Sequence, residues 1–160
     1  MSKRADTLAD RILEGARALA AFAEGLDDDQ WTTTIPGDGR SVGVVVHHVG
    51  SVYPIEVQLA QALASGSPIE GVAWADIHEM NAKHAADNAT VSKDDALALL
   101  RENSATAAAT VRQLSDDDLD SAATVSLNGD APLTAQFFIE DHALRHSFHH
   151  LAKIRAALST

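Results

Sequence analysis

Apolar residues recur at helical spacing along almost the whole chain, and this leaves few architectures open to it. The clearest case runs from Ser41 to about Ala64. At ~100° per residue, and with His48 as the reference direction, Val44, Val45, Val52, Ile55 and Leu59 fall within roughly 60° of it. So wide a stripe has to be buried against other helices. Pro54 lies inside the segment and removes one backbone donor, so a kink is expected there.

The other segments repeat the pattern. Residues 7–25 open with Thr7 and Asp10 in a capping-box-like arrangement and carry Leu8, Ile12, Leu13, Leu19 and Phe22 at helical spacing, with Gly25 as a stop. An irregular connection is expected from Trp31 to Arg40, which holds Pro36, Gly37 and Gly39. Further helices are predicted over 72–88, over 93–113 behind Ser92, and over roughly 134–157. Between 122 and 134 the rhythm breaks, and Ala123 to Asp130 reads as a short extended segment with a tight turn. Asp116, Asp117 and Asp118 follow Ser115 and read as a helix start or a solvated loop, not as a metal site. The predicted fold is all-α: a four-helix bundle with a short irregular or hairpin-like insertion before the last helix. There is no internal repeat, and residues 1–160 read as a single domain.

Composition sets limits on chemistry. The chain has 160 residues, 46% of them hydrophobic and 22% charged, the balance of a globular domain. It has no cysteine, so disulfides, thiolate ligands and a cysteine nucleophile are excluded, and a transition-metal site has to be built from histidine, carboxylate and water. The net charge is −11, and the 12 basic residues form no run, which argues against a nucleic-acid surface. No stretch approaches ~20 uninterrupted apolar residues and the N-terminus has no apolar signal core, so no membrane is expected and the cytoplasm is the expected compartment. The Asn88-Ala89-Thr90 sequon is then accidental.

Four of the eight histidines fall within residues 141–150. His142, His146 and His150 descend one stripe of the last helix with ~40° of drift per step, His149 lies beside it, and Phe138 and Ile139 share that side. Residues four apart share a helix face, so His146 and His150 can converge on one ion. On the earlier helix His48 points inward at the centre of the apolar stripe, while His47 sits about 100° away at its border. His78 and His84 are expected to be surface or boundary residues. Glu56, about 80° from His48, reads as a solvated helix-edge carboxylate. Glu140 and Asp141 lie roughly 120° and 140° from the His146 direction and are expected to face solvent, while Arg145 is nearer the stripe and suits either a substrate anion or a surface ion pair.

Three motifs in this order resemble the DinB-like superfamily of metal-dependent hydrolases. Ser41-Val42-Gly43-Val44-Val45-Val46-His47-His48 is similar to that family's second-helix segment, with a histidine seven residues after the serine. Trp31 and the threonine-rich stretch beside it resemble the usual approach to this helix. His146-Ser147-Phe148-His149-His150-Leu151-Ala152-Lys153-Ile154 resembles its final-helix signature. The resemblance implies a three-histidine metal site of His48, His146 and His150 between the second and last helices, with water completing the coordination. It also implies that His149 is not a ligand. His142 is less standard and suits an orienting partner or a proton acceptor.

An open three-histidine site favours hydrolysis of a small molecule by metal-bound water, with zinc or nickel the expected ion and iron an alternative. His142 and His149 are the catalytic candidates for moving protons. The resemblance equally admits a mycothiol- or bacillithiol-type S-transferase. A non-catalytic bundle acting through self-association is a third reading, and a homodimer is compatible with the apolar helices.

Overall fold

The computed structural model describes residues 2–159. Helix α1 (Lys3–Glu24) starts earlier than the Thr7 pattern predicts, because Ser2 accepts the Ala5 amide and Ala5 and Leu8 already belong to the buried face. Thr7 instead donates to the Lys3 carbonyl within the helix. Short helix α2 (Asp28–Thr32) occupies part of the expected irregular link, since Asp27 and Gln30 cap each other's backbone reciprocally. The true loop, 33–41, is pinned by the Ile35 amide on the Arg40 carbonyl and turns through Gly37 and Gly39 at φ of 77° and 85°.

Helix α3 (Val42–Ala64), capped by Ser41, is the centre of the molecule. It packs on α5 (Lys93–Val111), α5 packs on α1, α1 on α8 (Arg145–Leu158), and α8 and the preceding α7 (Ala135–Ile139) close back on α3. These elements form the expected four-helix bundle, with one core running through all of them.

Two local features let α3 sit so deep. A Cβ on Gly50 would lie 2.9 Å from both the Cα and the amide nitrogen of Leu100, so the absence of a side chain sets how closely α3 and α5 approach. Pro54, four residues on, has no N–H to offer the Gly50 carbonyl, and Asn103 of α5 donates its Nδ2 there at 2.9 Å. Thus the donor missing from α3 is supplied by its neighbour.

Helix α4 (Trp74–Asp87) corresponds to the third predicted helix, but it flanks the bundle and none of its residues is buried. Short α6 (Asp116–Asp120) is capped by Ser115 and buries Leu119. Strands β1 (Ala122–Val125) and β2 (Ala131–Thr134) form the expected antiparallel hairpin, with Ala122 opposite Thr134 and Val125 opposite Ala131. Its tight end turns through Gly129 and Asp130, both at positive φ, and β1 also ties to the α3–α4 connection through Ile69.

The final helical stretch is not the single regular helix expected over 134–157. A π turn, Glu140–Leu144, separates α7 from α8 and spends an extra residue on one turn. No described helix is long and apolar enough to cross a membrane.

Candidate metal centre

His48 comes from the buried face of α3, His146 and His150 from the first two turns of α8. Their ring centroids lie 5.1, 5.6 and 4.7 Å apart (His48–His146, His48–His150 and His146–His150), and one nitrogen from each falls within 4.8 Å of the other two. His48 and His150 are buried and His146 is half-buried. Tyr53 and Ser147 fasten the two helices beside these rings, with the phenol and hydroxyl oxygens 2.5 Å apart.

Burial governs the electrostatics. Desolvation first, then the neighbouring His146 and the Arg40 charge, push the His48 imidazole down to about 3. Desolvation, followed by His146 and His48, pushes His150 down to about 2. Both rings are therefore neutral at physiological pH and keep a lone pair for an ion.

Glu56 departs from the sequence expectation. It is buried, and its Oε1 accepts a hydrogen bond from His146 Nδ1 at 2.8 Å. The 80° offset from His48 does not lead to solvent, because the exposed flank of this half of α3 runs through Pro54, Ile55, Gln58 and Gln61 on the other side, while Glu56 turns towards His146 of α8. A carboxylate accepting from Nδ1 fixes the tautomer and leaves His146 Nε2 with the lone pair, the arrangement typical of metal-bound imidazoles. His150 Nδ1 is buried with no hydrogen-bond partner among the described residues, and so is Glu56 Oε2. Three converging ring nitrogens, one of them on a ring oriented by a carboxylate and one on a ring carrying an orphaned polar atom, fit a borderline divalent ion.

A cavity of about 360 Å³ opens beside the three rings. His142 and His149 both reach its wall: His142 stacks on Phe138 at 4.1 Å, and His149 sits edge-on to His150 at 5.3 Å. Desolvation lowers both below the ordinary histidine range. Glu140 is exposed as expected, but Asp141 is half-buried on the cavity wall and paired with Arg145 at 3.2 Å. The π turn explains the difference, because its extra residue breaks the 100°-per-residue count upstream of Arg145.

The remaining histidines divide. His78 is exposed and faces Trp74. His84 lies at the boundary, yet it approaches the site: it shares a 2.8 Å hydrogen bond with His47, stacks on that ring at 5.0 Å, and meets His48 edge-on at 5.5 Å. Nothing in the local spacing of α4 signals this, since it depends on where the helix docks. Arg40 is a further cavity residue that sequence reasoning missed. Its Nε and Nη2 donate to Asp38 at 2.6 and 2.9 Å, and this holds the Asp38 carboxyl below the usual carboxylate range.

Fold and site together define a four-helix bundle with three converging histidines between its second long helix and its last. The family model of the DinB superfamily matches residues 11–154, and the chain belongs to that superfamily. No curated protein matches the sequence. Among solved structures, YfiT from Bacillus subtilis is similar at 22% identity and a TM-score of 0.78, over 98% of this chain and 87% of that one. YfiT is described as "a probable metal-dependent hydrolase with an unusual four-helix bundle topology". At this identity the likeness shows the shared fold.

Proposed function

We propose that the protein is a metal-dependent hydrolase of a small molecule, with His48, His146 and His150 as ligands of a divalent ion, zinc or nickel before iron. The observation that carries this reading is the convergence of three donor nitrogens beside an open cavity, with Glu56 orienting the half-buried His146. The description of YfiT agrees with it. When bound, such an ion supplies a Lewis acid that polarises a substrate oxygen and lowers the pKa of water towards neutrality.

The chain's own residues supply the rest. Glu56 holds the His146 ring by accepting from Nδ1, and the Tyr53–Ser147 contact keeps α3 and α8 in register. His142 and His149, on the cavity wall and held below the ordinary histidine range, are neutral near pH 7 and can accept a proton.

The test is elemental analysis of untagged protein together with His48→Ala and His146→Ala variants. About one equivalent of zinc, nickel or iron per chain, lost in both variants while the helical circular dichroism is retained, is the expected result. Failure of the purified and metal-supplemented protein to hold any ion removes the reading.

A further inference from the structure

Alone among the long helices described, α4 buries no residue. Its half-buried residues, Ile77, Asn81, His84 and Ala85, lie on one stripe, and that stripe is the face docked on the bundle. Among the described residues, its one hydrogen bond to the rest of the bundle is the 2.8 Å contact between His84 Nε2 and His47 Nδ1 of α3. Asp76, Lys83 and Asn88 bond only within the helix or at its ends.

The chain on either side of α4 is fastened separately. The Val72 amide donates to Ser126 Oγ at 3.3 Å, and the Val72 carbonyl accepts from the same hydroxyl at 2.8 Å. Beyond the helix, the Val91 carbonyl accepts from Trp31 Nε1 at 3.1 Å. Residues 73–90 therefore hang between two fixed points and are held down between them by His84.

This hold is opposed from within. Docking gives the His84 ring one hydrogen bond, a stack on His47 and an edge contact with His48, but it also buries Nδ1 without a partner. An unpaired buried polar atom costs at least as much as an ordinary hydrogen bond contributes, so the two largely offset. Little apolar burial adds to the hold, since Trp74 and Met80 stay 57% and 40% exposed and Ile77 is only half-buried. A helix with so few buried contacts is a unit that opens locally while the core stays folded. Trp74, Ile77, Met80 and Asn81 of this same helix line the cavity beside the three histidines.

We infer that α4 is a lid on the cavity, which lifts as a unit between Val72 and Val91, and that His84 is the positioning residue that latches it to His47. A molecule in the cavity that touches α4 gains those contacts only while the helix is docked. An occupant therefore holds the lid shut, and its entry and release need the lid open. The motion requires neither a metal nor hydrolysis.

The chain has no cysteine, so a single introduced thiol reports on one position. The test follows the reaction of metal-free Ile77→Cys and Ala82→Cys proteins with a dithionitrobenzoate reagent at constant pH. Ile77 lies on the docked face two turns from the latch, and Ala82 on the exposed face of the same helix. His47→Phe keeps a ring for His84 to stack on but leaves both His84 nitrogens unpaired when docked. It should speed labelling at Ile77→Cys about 5- to 100-fold and leave Ala82→Cys within about twofold. His47→Phe/His84→Phe has no nitrogen to strand and should return the Ile77→Cys rate to within about threefold of the parent. The urea midpoint of the bundle should not move with either change, because α4 buries nothing. The lid is ruled out if His47→Phe leaves labelling at Ile77→Cys unchanged, or speeds both thiols equally. It is also ruled out if the double variant stays as fast as the single one, or if the urea midpoint falls in step with faster labelling.

Discussion

Replacing Asn103 with alanine tests how α3 tolerates a proline at its centre. Pro54 leaves the Gly50 carbonyl without its ordinary donor, and Asn103 Nδ2 fills that role from α5 at 2.9 Å. Gly50 is buried against Leu100, so water has little access once the amide is gone. Asn103→Ala should therefore cost about 1–3 kcal/mol, the penalty of an unsatisfied buried acceptor. In a chain of this size that lowers the melting temperature by about 2–4 °C per kcal/mol. Pro54→Ala restores an N–H four residues beyond Gly50, so in that background Asn103→Ala should cost at least about 1 kcal/mol less. Urea unfolding of the four proteins, read at constant m-value, gives the coupling directly. Equal losses in both backgrounds, within about 0.5 kcal/mol, would refute the reasoning. The site offers a second readout, because Gly50 and Pro54 lie between His48 and Glu56 on α3 and set the register of one to the other.

Other expectations follow from the same contacts. Glu56→Ala frees the His146 ring and should weaken zinc binding about 10- to 100-fold in competition with a chelating dye, whereas Glu56→Gln, which keeps an acceptor oxygen, should lose less; equal affinity in all three proteins would sink the orienting role. His48 and His150 stay neutral in the fold down to about 3 and about 2, against an ordinary value of 6.5, so between pH 6.5 and about 3 the unfolded chain binds protons that the folded chain does not. Metal-free stability should thus fall as pH drops through that window, by up to about 1.4 kcal/mol per pH unit for each ring. A urea midpoint that is flat from pH 7 to 4.5, or as steep in His48→Gln as in the parent, would contradict this. Gly50→Ala forces a methyl group into the Leu100 backbone and should destabilise by about 1–3 kcal/mol despite the better helix propensity of alanine, as thermal unfolding would show.

Helical arithmetic carries a long way in this chain, and its failures have physical causes. The stripe centred on His48 and the four-residue step from His146 to His150 place three rings on facing helices, and the structure brings those rings together. Turn residues around Gly129 likewise mark the hairpin. Glu56 is misread because an unsigned offset from a stripe does not say which flank is free: Pro54, Ile55, Gln58 and Gln61 are the exposed residues of this half of α3, and Glu56 lies on the opposite flank. Asp141 is misread because the 100° step fails across the π turn. His84 and Arg40 depend on how α4 and the 33–41 loop dock, which is long-range information that no local spacing contains.

Because α4 supplies one wall of the cavity without burying any residue of its own, that wall is nearly independent of the surface that holds the bundle together, unlike the walls that Val52, Ile69, Val125 and Phe138 supply from the buried interior. Substitutions along Trp74, Ile77 and Met80 can alter which molecule fits while leaving folding stability almost untouched. The constraint on sequence drift then falls on α3, α5 and α8, and selection for a new ligand can act on a single peripheral helix. A scaffold divided in this way can keep its three converging histidines while one wall of the cavity beside them changes shape.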